Sequence, residues 1–177
     1  SSALSSHGTN IMLTLDTSGS MKDGSGVYNG STQLSRLAVL KSSVNSLLDK
    51  YGEAGDVRVL VLEFNSSATQ KGSGWMSLAE AKAFVNALVS GGGTNYQDAL
   101  NKAMAAWDNS PTGKLEGTNV QNISYFFTDG EPVNGAVGSS LQTTWEKFLT
   151  ANHINSYGIG LGTSATGGYI DPVSYNP

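Results

Sequence analysis

Three oxygen-bearing side chains alternate in Asp16-Thr17-Ser18-Gly19-Ser20, directly after the apolar run Ile11 to Leu15. In extended backbone, residues two apart point to the same side, so Asp16, Ser18 and Ser20 converge on one spot. Hard oxygen donors without imidazole or thiolate suit Mg²⁺, Ca²⁺ or Mn²⁺ and not zinc. Two further segments carry related groups. Gly91-Gly92-Gly93-Thr94-Asn95 offers a hydroxyl after a sharp turn, and Thr128-Asp129-Gly130 offers a second carboxylate. Each piece alone also has a plainer reading. Thr94 with Gln97 is a good helix capping box, Asp129-Gly130 is a common turn pair, and Ser18 and Ser20 are ordinary loop residues.

The elements around these segments follow from hydrophobic periodicity. Asn10 to Leu15 reads as a short buried strand, which sets Asp16 at its carboxyl end. Asp23 to Thr32 reads as a Gly/Ser/Asn loop carrying Tyr28. Leu34, Leu37, Leu40, Val44, Leu47, Leu48 and Tyr51 recur at helical spacing, with Gly52 at the end. Val57 to Phe64 is almost continuously aliphatic, as in a strand covered on both faces. Ser66 to Met76 is expected to add a short edge strand, weakened by Gly72 and Gly74. Ser77 and Glu80 form a capping box ahead of Ala81, Phe84, Val85 and Leu88. Ala99, Leu100, Ala103, Met104 and Trp107 define a third helix. Ile123 to Phe127 is the next strand, delivering Asp129 at its end. A fourth helix (Leu141, Trp145, Phe148, Leu149) and a strand from Ile154 to Leu161 follow. Strands alternating with helices predict an α/β, doubly wound, mostly parallel sheet flanked by helices. In such sheets ligands sit outside the carboxyl ends of the strands, where all three oxygen-bearing segments fall.

Bulk composition narrows the function classes. The 177 residues are enough for one domain with one sizeable core. A formal net charge of −4, with 10 Lys and Arg against 14 Asp and Glu, leaves no basic patch for nucleic acid. With no cysteine, a disulfide scaffold, a thiolate metal site and a Cys nucleophile all drop out. No apolar run approaches the roughly 18–20 residues of a membrane span, so membrane insertion is not expected. The chain begins Ser1-Ser2-Ala3, as expected of a single domain taken from a longer multidomain protein, with neighbouring domains among its partners.

Taken together, Asp16, Ser18, Ser20, Thr94 and Asp129 resemble, in order, the metal-ion-dependent adhesion site of the von Willebrand factor A domain. The family's pattern is Asp-x-Ser-x-Ser, then Thr after a Gly-rich turn, then Asp after a later strand. The likeness covers about residues 10 to 162 of a domain spanning 1–177. It implies that Ser18, Ser20 and Thr94 hold a divalent cation directly, Mg²⁺ foremost with Ca²⁺ or Mn²⁺ as alternatives. Asp16 and Asp129 would act largely through waters. It further implies a closing helix and edge strand, for which Gly162 to Pro177 supplies no pattern.

The function the resemblance implies is metal-dependent adhesion: the cation captures an oxygen donor, a carboxylate foremost, on a protein or surface ligand. The Ser/Thr/Asn/Gly-rich surface and missing cysteines are similar to A domains of large exported bacterial adhesins, which sets the expected location outside the cell or on its surface. Tyr28, Tyr96, Glu131, Asn134 and Tyr169 are expected on the rim of the site as partner contacts. An alternative is a structural or scaffold module in a larger assembly, including an intracellular chelatase-like complex. An enzyme is disfavoured. Asp16-Thr17-Ser18-Gly19 and Thr128-Asp129-Gly130 only superficially resemble aspartic-protease segments, and the helices conflict with that β-rich fold. Phosphotransfer fails because no second acid stands at Ser18 and no Lys or Arg is expected beside the site.

Overall fold

The computed structural model describes residues 7–110, 112–130, 137–162 and 173–177. Its elements are β1 (Gly8–Asp16), β2 (Gly24–Asn29), β3 (Thr32–Ser35), α1 (Arg36–Ala54), β4 (Asp56–Phe64) and β5 (Ala68–Met76). There follow α2 (Leu78–Asn86), α3 (Tyr96–Asn109), β6 (Val120–Thr128), α4 (Ser139–Ala151) and β7 (Ile154–Gly160). Five strands form one sheet in the order β5-β4-β1-β6-β7. All neighbours pair in parallel except β5, which runs antiparallel on the β4 edge. The doubly wound sheet expected from the sequence is present.

Two clusters of buried side chains glue helices to opposite faces of the sheet. Ile11, Leu13 and Leu15 of β1 pack with Val57, Val59 and Val61 of β4 against Leu40, Val44 and Leu48 of α1 and Ala81 and Val85 of α2. The opposite parity, Met12 with Leu60, Leu62, Phe64 and Phe126, faces Tyr96, Leu100 and Trp107 of α3 and Trp145 of α4. This alternation explains why the strands read as apolar runs: both of their faces are covered. The chain leaves β1 toward one face and leaves β6 toward the other. A crevice must therefore open between the carboxyl ends of these adjacent strands, and this is the topological switch point of the fold.

Two local expectations need correction. The stretch Asp23 to Thr32 is no plain loop, because β2 and β3 pair antiparallel through Tyr28↔Gln33 and Asn29↔Thr32. Its reversal is the two-residue loop Gly30-Ser31 between the paired Asn29 and Thr32, with Gly30 at φ 66°, and Gly-Ser between two strand-like runs is a hairpin signal. The third helix is capped by Asn95, whose side chain accepts from the Asp98 N–H, and not by Thr94. The capping box of Ser77 and Glu80 is formed as expected. The edge strand β5 also forms, and a register shift between its Lys71 and Met76 pairings accommodates Gly72 and Gly74 at positive φ.

Candidate functional site

Asp16 ends β1 on the same face as Met12 and Thr14, at the switch point, and is fully buried. Both of its oxygens are engaged. Oδ1 accepts from the Ser18 N–H at 2.8 Å, which folds the chain back over the carboxylate. Oδ2 accepts from the Thr128 hydroxyl at 2.9 Å, tying β1 to the end of β6. Burial pushes this carboxyl up from 3.8 to about 6, and the charge of Asp129 adds to the rise, while hydrogen bonds from Ser18 and Thr128 oppose it.

After Asp16 the chain makes a short 3-10 turn, Gly19–Lys22, and presents two hydroxyls side by side. Ser18 Oγ and Ser20 Oγ lie 3.2 Å apart. Ser20 Oγ donates to Asp129 Oδ2 at 2.6 Å, joining residues 109 positions apart in the chain. The glycine turn comes alongside through the backbone: Gly19 N–H donates to Gly92 O at 2.9 Å and Gly91 N–H to Thr17 O at 2.8 Å. Gly92 adopts φ 84°, a conformation that favours glycine, and Thr94, buried, lies two residues beyond it. Direct side-chain bonds thus connect Ser18, Ser20 and Asp129. The backbone of Ser18 anchors Asp16, and the glycine turn that precedes Thr94 is bonded to Gly19 and Thr17 through its backbone.

A further loop, unnoticed in the sequence, braces this arrangement. Asn65 O accepts from Asn95 N–H at 2.8 Å, and Ser66 Oγ accepts from Gly93 N–H at 2.8 Å. Asp98 lies in the first turn of α3, where a carboxylate favours the helix dipole. It also accepts from the Ala68 N–H at 2.6 Å, which pins the start of β5.

The rim residues divide. Tyr28 stands on the β2–β3 hairpin, 59% exposed and open to contact. Tyr96 does not reach the rim: it is 1% exposed, its ring edges meet Phe64 and Phe126, and its hydroxyl pairs with Thr128 Oγ1 and Gly130 O. Its place in the first turn of α3, on the stripe of Ala99, Leu100 and Ala103, turns it to the core. Glu131, Asn134 and Tyr169 lie outside the described residues.

One charged neighbour contradicts the sequence reading, which placed no Lys or Arg beside these carboxylates. Arg36 Nη1 donates to Asp129 Oδ2 at 3.1 Å, and both side chains are largely buried. Its Nε donates to Gly24 O at 3.2 Å. Arg36 is the first residue of α1, where a cation opposes the helix dipole, so something outside the helix must hold it.

Among the described residues no three His, Cys, Asp or Glu side chains are placed to share a metal. The candidate set differs in kind, with two carboxylates and three hydroxyls. It is sterically apt for a small hard cation. Two Mg–O bonds of about 2.0–2.1 Å at right angles separate their oxygens by about 3 Å, and the Ser18/Ser20 and Ser20/Asp129 separations of 3.2 and 2.6 Å straddle that value. Ser18, Ser20, Thr94 and Asp129 would hold the ion, with Asp16 orienting Ser18 from behind. A cation bound there supplies Lewis acidity toward an incoming oxygen.

A central, mostly parallel sheet clad by helices, with a loop cluster at its switch point, is the architecture of an A-type α/β domain. The family model for the von Willebrand factor type A domain matches residues 11–131, and the chain belongs to that family. No curated protein matches the chain. Among solved structures, it is similar to proximal thread matrix protein 1 from the mussel byssus, at 20% identity and TM-score 0.68, over 96% of this chain and 40% of that one. It is also similar to a von Willebrand factor type A protein from Catenulispora acidiphila, at 18% identity and TM-score 0.67, over 96% of this chain and 36% of that one. The PilB minor pilin of Streptococcus sanguinis matches at 16% identity and TM-score 0.68, over 95% of this chain and 54% of that one. These likenesses establish the shared fold, and the chain spans about half or less of each of the three proteins.

Proposed function

We propose that this domain is a non-enzymatic, cation-dependent binding module whose site is Asp16, Ser18, Ser20, Thr94 and Asp129. Mg²⁺ is the expected ion, with Ca²⁺ or Mn²⁺ able to replace it. The observation that carries the reading is the pair of contacts Ser18 Oγ to Ser20 Oγ and Ser20 Oγ to Asp129 Oδ2, at 3.2 and 2.6 Å. They draw oxygens from separate parts of the chain into one coordination-sized group. Neutral hydroxyls quench little of a cation's charge, so the bound ion retains attraction for a carboxylate or other oxygen donor on a protein or surface partner. Turnover is disfavoured because Asp16 is buried with both oxygens already accepting hydrogen bonds, which leaves it unsuited to nucleophilic attack.

An adhesive role at the cell surface or outside the cell is the setting we favour. It draws on the family and on neighbours named as a byssus matrix protein and a minor pilin. Calorimetric titration of the metal-stripped domain with Mg²⁺ and Mn²⁺ tests the site. We expect one binding event per chain, abolished in Ser20→Ala and Asp129→Ala. Capture of carboxylate-bearing ligands from a protein and glycan panel, lost in EDTA, tests the partner chemistry. Unchanged binding by Ser20→Ala would remove the site assignment, and cation binding that raises the melting temperature without any captured ligand would favour the scaffold reading.

A further inference from the structure

Arg36 stands against a carboxylate of the proposed cation site. Its guanidinium is held by Asp129 Oδ2 at 3.1 Å and Gly24 O at 3.2 Å. Gly162, at φ 82°, packs against it so closely that a Cβ there would lie 2.5 Å from Arg36 Nε. The backbone of Arg36 is also fixed, its N–H donating to Asp23 O at 2.9 Å. Three loops thus hold one positive charge against a carboxylate of the proposed site. Glu63, which touches Thr17, is neutralised by Lys71 at 2.9 Å, and the adjacent Lys22 and Asp23 carry opposite charges, so among the described residues the local balance is set by Asp16, Asp129 and Arg36.

We infer that Arg36 sets the charge of the site, weakening its hold on the cation and strengthening the loaded site's attraction for an anionic partner. This inference rests on the cation-binding reading above. With Arg36, two carboxylates and one guanidinium leave a single negative charge, and a divalent cation converts this to a single positive one. Without Arg36 the loaded site is neutral. Arg36 also shares Asp129 Oδ2 with any ion placed there, so the two cations compete for the same oxygen. Removing one positive charge within a few ångströms of a bound ion changes its binding constant by on the order of tenfold.

The test titrates Mn²⁺ alone into wild type, Arg36→Gln and Arg36→Lys, followed by electron paramagnetic resonance. Arg36→Gln is expected to bind Mn²⁺ about tenfold more tightly, while Arg36→Lys stays near wild type. In the Mn²⁺-loaded proteins, acetate serves as the anionic probe, read by paramagnetic broadening of its methyl resonance. Acetate binding should fall several-fold in Arg36→Gln and persist in Arg36→Lys. Gly162→Ala, which displaces the guanidinium without deleting it, should also tighten Mn²⁺ binding and serves as the second variant if Arg36→Gln does not fold. Wild type that binds Mn²⁺ with Arg36→Gln, or Gly162→Ala in its place, unchanged or weaker overturns this inference alone. Failure of every folded protein to bind Mn²⁺ overturns it together with the proposed function.

Discussion

Replacing Asp16 with Asn is expected to stabilise the metal-free domain and, in the same stroke, to remove its affinity for a cation. The carboxyl of Asp16 is raised from 3.8 to about 6, chiefly by burial and further by Asp129. Between these values the folded chain binds more protons than the unfolded chain. Stability from this group is therefore highest below pH 4, falls as pH rises toward 6, and is level above that. A shift of about 2 units corresponds to about 3 kcal/mol of destabilisation at pH 7. Asn keeps the oxygen that accepts from Ser18 N–H and loses the acceptor for the Thr128 hydroxyl, a loss of about 1 kcal/mol. The net gain is about 2 kcal/mol, or roughly 4–8 °C in melting temperature for a domain of this size.

Urea unfolding in EDTA at pH 7 and pH 5 provides the assay. Wild type should narrow the gap to Asp16→Asn as pH falls, since protonation relieves the same buried charge. With saturating Mg²⁺ the order should reverse, because only wild type gains binding free energy in its folded state. An Asp16→Asn protein no more stable than wild type in EDTA at pH 7, or a gap independent of pH, would refute the view that this carboxylate is held against its own burial penalty.

Two further substitutions test the scaffold that positions the site. Asn95→Ala removes the observed cap of α3 and is expected to cost about 1 kcal/mol in urea unfolding, and a negligible loss would return the capping role to Thr94. Phe126→Ala empties a fully buried position between the Phe64 and Tyr96 rings and should cost about 3–5 kcal/mol, measured by the same unfolding curves.

What the sequence conveyed and what it hid divide along the range of the interactions involved. Strands such as Val57 to Phe64 and the helix through Leu40, Val44 and Leu48 were legible because periodicity is a local consequence of which faces are buried. The meeting of Asp16, Ser18 and Ser20 with Asp129 was legible because a doubly wound order delivers the ends of adjacent strands to one crevice. Local signals were also misjudged: Gly30-Ser31 marked the hairpin, and the spacing of Tyr96 to Ala99, Leu100 and Ala103 marked a core-facing ring. The choice between Thr94 and Asn95 as cap lay beyond local reading, since both residues cap well and the outcome accompanies a bond from the Asn95 N–H to Asn65 O. Arg36 is the deepest case, because its meaning depends on Asp129, 93 residues away, and on the hairpin that carries the carbonyl of Gly24. A cation opposing its own helix dipole costs a few tenths of a kcal/mol or more when exposed. Here the neighbouring carboxylate offsets that cost, and the conflict emerges only with the observed helix start at Arg36, because periodicity from Leu34 had set the residue inside the helix.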